Sequence, residues 1–83
     1  MIDAVRLSTC KEGDQVSIKR IEGKGAFKKR LSEMGLIKGT EITVQKYAPL
    51  RDPMELVIKG YHLSLRVEEA DKLLVQMLKT AKP

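Results

Sequence analysis

One cysteine, one histidine and no tryptophan occur in 83 residues. Each shortage closes a route. With Cys10 alone, no disulfide can form within the chain, which fits a reducing cytosol better than secretion. A metal site built on soft ligands needs three or four of them. Cys10 and His62 are two, far apart in sequence, so neither a metal nor a cofactor is expected. No serine, histidine and acid share a spacing that would suggest a catalytic triad, and the chain reads as a non-enzyme. Aromatic rings for stacking on bases are limited to Phe27, Tyr47 and Tyr61. No apolar run approaches the roughly 20 residues of a membrane span. The first ten residues include Asp3 and Arg6 and do not read as a secretory signal. Internal repeats and low-complexity tracts are absent as well.

What remains is a small, moderately basic chain. Sixteen Lys and Arg against eleven Asp and Glu give a formal charge of +5. Such a surplus favours anionic surfaces, whether nucleic acid, lipid headgroups or an acidic protein face, and its plainer meaning is a solvated surface. The length allows one domain, residues 1–83 with a core over about 7–78, whose stability should be about 5 kcal/mol. The segment Gly23-Lys24-Gly25 precedes a predicted helix but matches neither the dinucleotide fingerprint nor the Walker spacing, so it reads as a flexible helix entry. Cys10 reads as a small buried apolar residue, and Glu68, Glu69 and Asp71 as a solvated face.

Periodicity supplies the elements. Val16 and Ile18 alternate with Ser17 and Lys19 over 15–21, after a turn at Glu12-Gly13-Asp14. Ile42 and Val44 repeat the pattern over 40–48. Met54, Leu56 and Ile58 form a third strand face, and Tyr61, Leu63 and Leu65 a fourth, joined at Lys59-Gly60 as a hairpin. Residues 73–78 predict a last strand and 79–83 a frayed tail, with a short helical turn over 67–71. Over 25–35 the period changes. Phe27, Leu31 and Met34 recur at i, i+4 and i+7, one face of a helix. Gly35 can supply the left-handed residue at its end, which places Leu31 against Leu36 in a Schellman motif. Strand, helix, then four strands imply a small mostly-β barrel of about five strands, with a helix inserted between the first two.

Three motifs go further. The run Arg30-Leu31-Ser32-Glu33-Met34-Gly35-Leu36-Ile37-Lys38-Gly39-Thr40 resembles the helix-to-strand signature of the FeoA family. Ala48-Pro49-Leu50-Arg51-Asp52-Pro53 is similar to the family's Pro-rich turn, with Arg51 where a small residue is common. The segment from Gly60 through Leu65, Arg66, Glu69 and Ala70 is similar to its closing Leu-Arg-x-x-Glu-Ala motif. The likeness covers about 7–75. Leu31, Gly35, Gly39, Pro49, Pro53, Gly60, Leu65 and Arg66 are its signature positions, and most of them make sense as fold-encoding residues. Arg66, out of phase with Leu65, is placed to bond carbonyls of a neighbouring loop.

The resemblance implies an SH3-like barrel in the cytoplasm, drawn to the inner face of the membrane by a partner. That partner is FeoB, a ferrous iron permease with a GTP-binding domain, and the implied role is support of its assembly or activity. On this reading Lys28, Lys29 and Arg30 steer the encounter, with Leu36, Ile37 and Leu50 as apolar anchors if exposed. Two rivals stand beside it. One is a metal-responsive regulatory domain, like the SH3-like domains appended to iron- and manganese-dependent repressors. The other is a small RNA-binding barrel, prompted by the charge, although no nucleic acid is expected.

Overall fold

The computed structural model describes residues 4–80. Its strands are β1 (Ala4–Arg6), β2 (Gln15–Ile21), β3 (Glu41–Tyr47), β4 (Met54–Ile58), β5 (Tyr61–Leu65) and β6 (Leu73–Lys79). They pair antiparallel in one sheet, in the order β1-β6-β2-β3-β4-β5. Helix α1 (Gly25–Glu33) joins β2 to β3, and the one-turn helix α2 (Val67–Ala70) joins β5 to β6. A 3-10 turn, Leu7–Thr9, follows β1.

The alternation seen in the sequence becomes cross-strand pairs. Val16 stands opposite Ile42, Ile18 opposite Val75 and Val44 opposite Leu56, and all six are buried. A strand turns alternate side chains to opposite faces, so one register buries the whole apolar set. The sixth strand, β1, was not expected. It is three residues long and its burial does not alternate, so only its pairing with β6 defines it. The tail expectation also changes, because Lys79 pairs with Gln15 at the end of β6. The rest of that tail, beyond Thr80, lies outside the described residues.

Hydrogen bonds do not close the sheet, since β1 and β5 are its two edges. Closure comes from packing. Leu7, Leu31 and Ala70 join the inward residues of β2 to β6 in one core. Leu31 anchors α1 there, with Phe27 and Met34 half-buried beside it. The helix stops as its sequence dictates. Gly35 adopts φ +89°, its N–H donates to Ser32 O (3.0 Å), and Leu36 N–H donates to Leu31 O (2.8 Å). Those are the two bonds of a Schellman motif.

The β4–β5 hairpin turns on Lys59 and Gly60, at φ +45° and +86°, between the paired Ile58 and Tyr61. Two positive φ values define a type I′ turn, whose favoured first residue is Asn. A lysine there carries left-handed strain that Asn relieves. Lys59→Asn is expected to stabilise the fold by about 0.5–1 kcal/mol, a gain of several degrees in Tm. A thermal melt measures this, and an unchanged or lower Tm would count against the turn assignment.

Candidate functional site

The residues suggested by the sequence separate into distinct environments. Lys28 and Lys29 are exposed on α1. Arg30 is exposed but engaged: its guanidinium donates to the Glu69 carboxylate of α2 and lies 5.7 Å from the Phe27 ring. It therefore ties two helices together. Glu69 is correspondingly more than a solvated acid, since its other oxygen accepts the Arg66 N–H (3.0 Å) at the start of α2. Asp71 likewise accepts the Ser8 hydroxyl (2.8 Å).

Leu36 is buried, at 0% exposure, and is not an anchor. The helix stop is the reason. The Schellman geometry that brings Leu36 to Leu31 also draws it into the core, so the two roles expected of it exclude each other. Ile37, the next residue, is 53% exposed and Leu50 is 91% exposed. These two do not share a site. They flank opposite ends of β3, whose seven residues span about 20 Å.

Around Ile37 a second apolar group appears that the sequence reading assigned to the inward phase. Tyr61 opens β5 at the rim of the core and remains 43% exposed. Its hydroxyl donates to Met34 O, the last carbonyl before the helix stop. Being the first residue after a two-residue turn was the available signal, because strand ends lie at the mouth of a barrel. Ile37, Lys38, Glu41, Val57 and Lys59 are among the residues that line a shallow groove, which the hairpin's Lys59 shares with the segment after α1. The end of α1 and the β4–β5 hairpin thus leave two apolar side chains, Ile37 and Tyr61, exposed among polar residues and charges of both signs.

At the other end Leu50 crowns the turn between β3 and β4. Arg51 N–H donates to Ala48 O (2.7 Å), Ala48 N–H donates to Pro53 O (2.9 Å), and the Arg51 guanidinium stacks 4.2 Å over the Tyr47 ring. Arg51 does this at φ +65°, a left-handed conformation. Pro49 and Pro53 bracket the turn, and Asp52 Oδ1 accepts the Val67 N–H (3.1 Å) that begins α2. Arg66 acts here through its backbone; of the other signature positions, Leu65 is in the core, and Gly39 and Gly60 take positive φ in turns.

Reactive groups are muted. Burial, aided by the negative charge of Asp14, pushes the Cys10 thiol up to about 11, so it stays protonated at neutral pH. Exposed His62 has Nδ1 at 3.0 Å from Gln45 Oε1. Among the described residues no group of three or more His, Cys, Asp or Glu is placed to hold a metal ion, and no helix is long and apolar enough to cross a membrane.

Comparison with known proteins follows the motifs. The chain is 49% identical over 74 residues to the Fe(2+) transport protein A/Fe(2+) transporter FeoB fusion protein of Porphyromonas gingivalis. That match covers 89% of this chain and 9% of the fusion protein, so the chain spans a small part of its curated relative. An FeoA-like protein from Clostridium acetobutylicum, solved by NMR, superposes with a TM-score of 0.88 at 31% identity, covering 100% of this chain and 96% of the other. A manganese-dependent transcriptional repressor shares the fold alone, at 19% identity and a TM-score of 0.83 over 90% of this chain and 37% of the repressor. The FeoA domain model matches residues 5–77, and the chain therefore belongs to the FeoA family, associated with ferrous iron transport.

Proposed function

We propose that this chain is a non-enzymatic accessory module that docks on the cytosolic side of a FeoB-type ferrous iron permease and supports its assembly or activity. The observation that carries this is the fusion: a relative 49% identical over 74 residues is named as one polypeptide with FeoB. Tethering holds two modules at an effective concentration near millimolar without requiring a strong interface. A surface that holds the two modules together adds to that proximity, whether or not they are tethered.

The end of α1 is the surface best suited to this. Ile37 and Tyr61 are an aliphatic and an aromatic group left half-exposed at the end of α1, where the Tyr61 hydroxyl is bonded to Met34 O and Ile37 lines a groove with Lys38, Glu41 and Lys59. Interfaces draw most of their energy from a few such anchors inside a polar rim. Lys28 and Lys29 raise the rate of encounter with an anionic partner rather than its final strength. Leu50, alone at the far end of β3, is left out of this interface.

The test is capture of the detergent-solubilised permease of the same cell on immobilised protein, with and without GTP. Ile37→Asp is expected to abolish capture and Leu50→Asp to leave it intact. Both sites are exposed, so both variants should melt like the parent. Capture lost with Leu50→Asp instead would move the interface to the other end. A parent that captures nothing in either nucleotide state would remove the partner itself.

A further inference from the structure

We propose that the basic face at the start of α1, built from Arg20, Lys24, Lys28 and Lys72, rests on anionic lipid headgroups. The choice of a bilayer as occupant rests on the permease reading above; the binding itself does not.

These four side chains are exposed, and Lys72 packs against the connection into α1, its Cδ 3.5 Å from where a Cβ on Gly23 would stand. Lys24 is the N-cap of α1, and Lys28 follows one turn later, its N–H bonded to Lys24 O. Lys72 arrives from the far end of the sequence. Its ammonium lies 4.9 Å over the Phe27 ring and its carbonyl accepts the Glu22 N–H (2.8 Å). Arg20 is near enough to Glu22 to help lower that carboxyl's pKa, although the Arg6 hydrogen bond is the larger cause. Of the neighbouring acids, Glu22 is paired with Arg6 at 2.7 Å, while Asp71 accepts the neutral Ser8 hydroxyl and keeps its charge, which also favours the Arg6 guanidinium.

Stability alone would not choose this arrangement. A helix start favours a capping Ser, Thr, Asp or Asn and acidic residues in its first turn. Here Lys24 provides no side-chain cap, and the first turn contains no acid. Lys24 and Lys28 are spaced i, i+4, where like charges repel. Three local rules are broken at one place, all in the direction that leaves positive charge unanswered, and such clusters of violations mark function. Lys29 differs, since Glu33 follows it at i+4.

Shape favours a flat partner. Exposed Gly25 and Ala26 separate the cations without protruding. The ring at hand, Phe27, is half-buried with Arg30 and Lys72 over it, so no open face is offered to an unpaired base. A module beside a membrane permease meets a negatively charged leaflet. The basic face would then lie on the bilayer while the Ile37 end of the same helix meets the permease.

Co-sedimentation with vesicles tests this. The full chain is expected to bind phosphatidylcholine vesicles containing phosphatidylglycerol at low salt, to release in high salt, and to ignore phosphatidylcholine alone. Each basic residue near such a surface is worth about 1 kcal/mol, or about fivefold. Arg20→Gln/Lys24→Gln/Lys72→Gln should therefore weaken binding about a hundredfold. Lys38→Gln/Lys46→Gln/Lys59→Gln makes the same change in net charge elsewhere and should weaken it only severalfold. Equal losses in the two triple variants would overturn the proposal, because net charge alone would explain binding. So would absent vesicle binding by the parent, or lysine-dependent binding to single-stranded RNA in its place. Equilibrium capture of the detergent-solubilised permease should survive the first triple variant, so loss of one activity can be told from loss of the other.

Discussion

Leu31→Ala is expected to destabilise the protein by about 2–5 kcal/mol, which is most of what a domain of this size has. Leu31 is the one fully buried side chain that α1 contributes. Its loss removes apolar contact and leaves a cavity that strands on several sides would have to move to fill. It also removes the packing partner of Leu36, whose N–H closes the helix on the Leu31 carbonyl. With the helix unpinned, the lysine face and Ile37 lose their common support. Chemical denaturation gives the magnitude. Because the variant is expected to be partly unfolded, Leu31→Met serves as the companion: its similar volume should hold the loss below about 1.5 kcal/mol. If Leu31→Ala unfolded within about 1 kcal/mol of the parent, the helix could not be packed through this residue.

The elements were legible where one residue and its near neighbours decide the outcome. Val16 with Ile18, Ile42 with Val44, and Met54 with Leu56 and Ile58 alternate because each strand has one buried face, and a period of two survives in the bare sequence. The helix stop was legible for the same reason, since Leu31, Gly35 and Leu36 lie within six residues. The surface was not legible, because it depends on contacts across the chain. Nothing near Arg30 shows that Glu69, 39 residues on, occupies it while Lys28 and Lys29 stay exposed. Nothing near Lys72 brings it over Phe27. Adjacent Leu36 and Ile37 look interchangeable as letters, yet one is in the core and the other is half in solvent, a difference set by the left-handed turn at Gly35. Strand β1 failed to register because its pairing lies entirely in β6.

Gly35 carries the second large effect, and its origin can be dissected. At φ +89° any other residue carries strain of about 1–2 kcal/mol. Space is the second requirement. A Cβ on Gly35 would stand 2.7 Å from the Tyr61 hydroxyl oxygen, well inside contact, whereas its next neighbour, the ring carbon Cζ, is at 4.0 Å. The hydroxyl is held there by its bond to Met34 O. Gly35→Ala therefore forces Tyr61 to give up that bond, adding about 1 kcal/mol to the backbone strain for a total of about 2–3. Tyr61→Phe alone should cost about 0.5–1.5 kcal/mol. Combined, the two should cost less than their sum, by about 1 kcal/mol, since the phenyl ring leaves room for the methyl group and the hydrogen bond can be lost only once. A double-mutant cycle by denaturation measures that coupling. Strict additivity would mean that Tyr61 does not press on the helix stop, and its place at the rim would then lose its structural basis. Coupling of the expected sign would mean that one glycine serves both the fold and the surface: it ends α1, and it leaves the space in which Tyr61 is held at the rim.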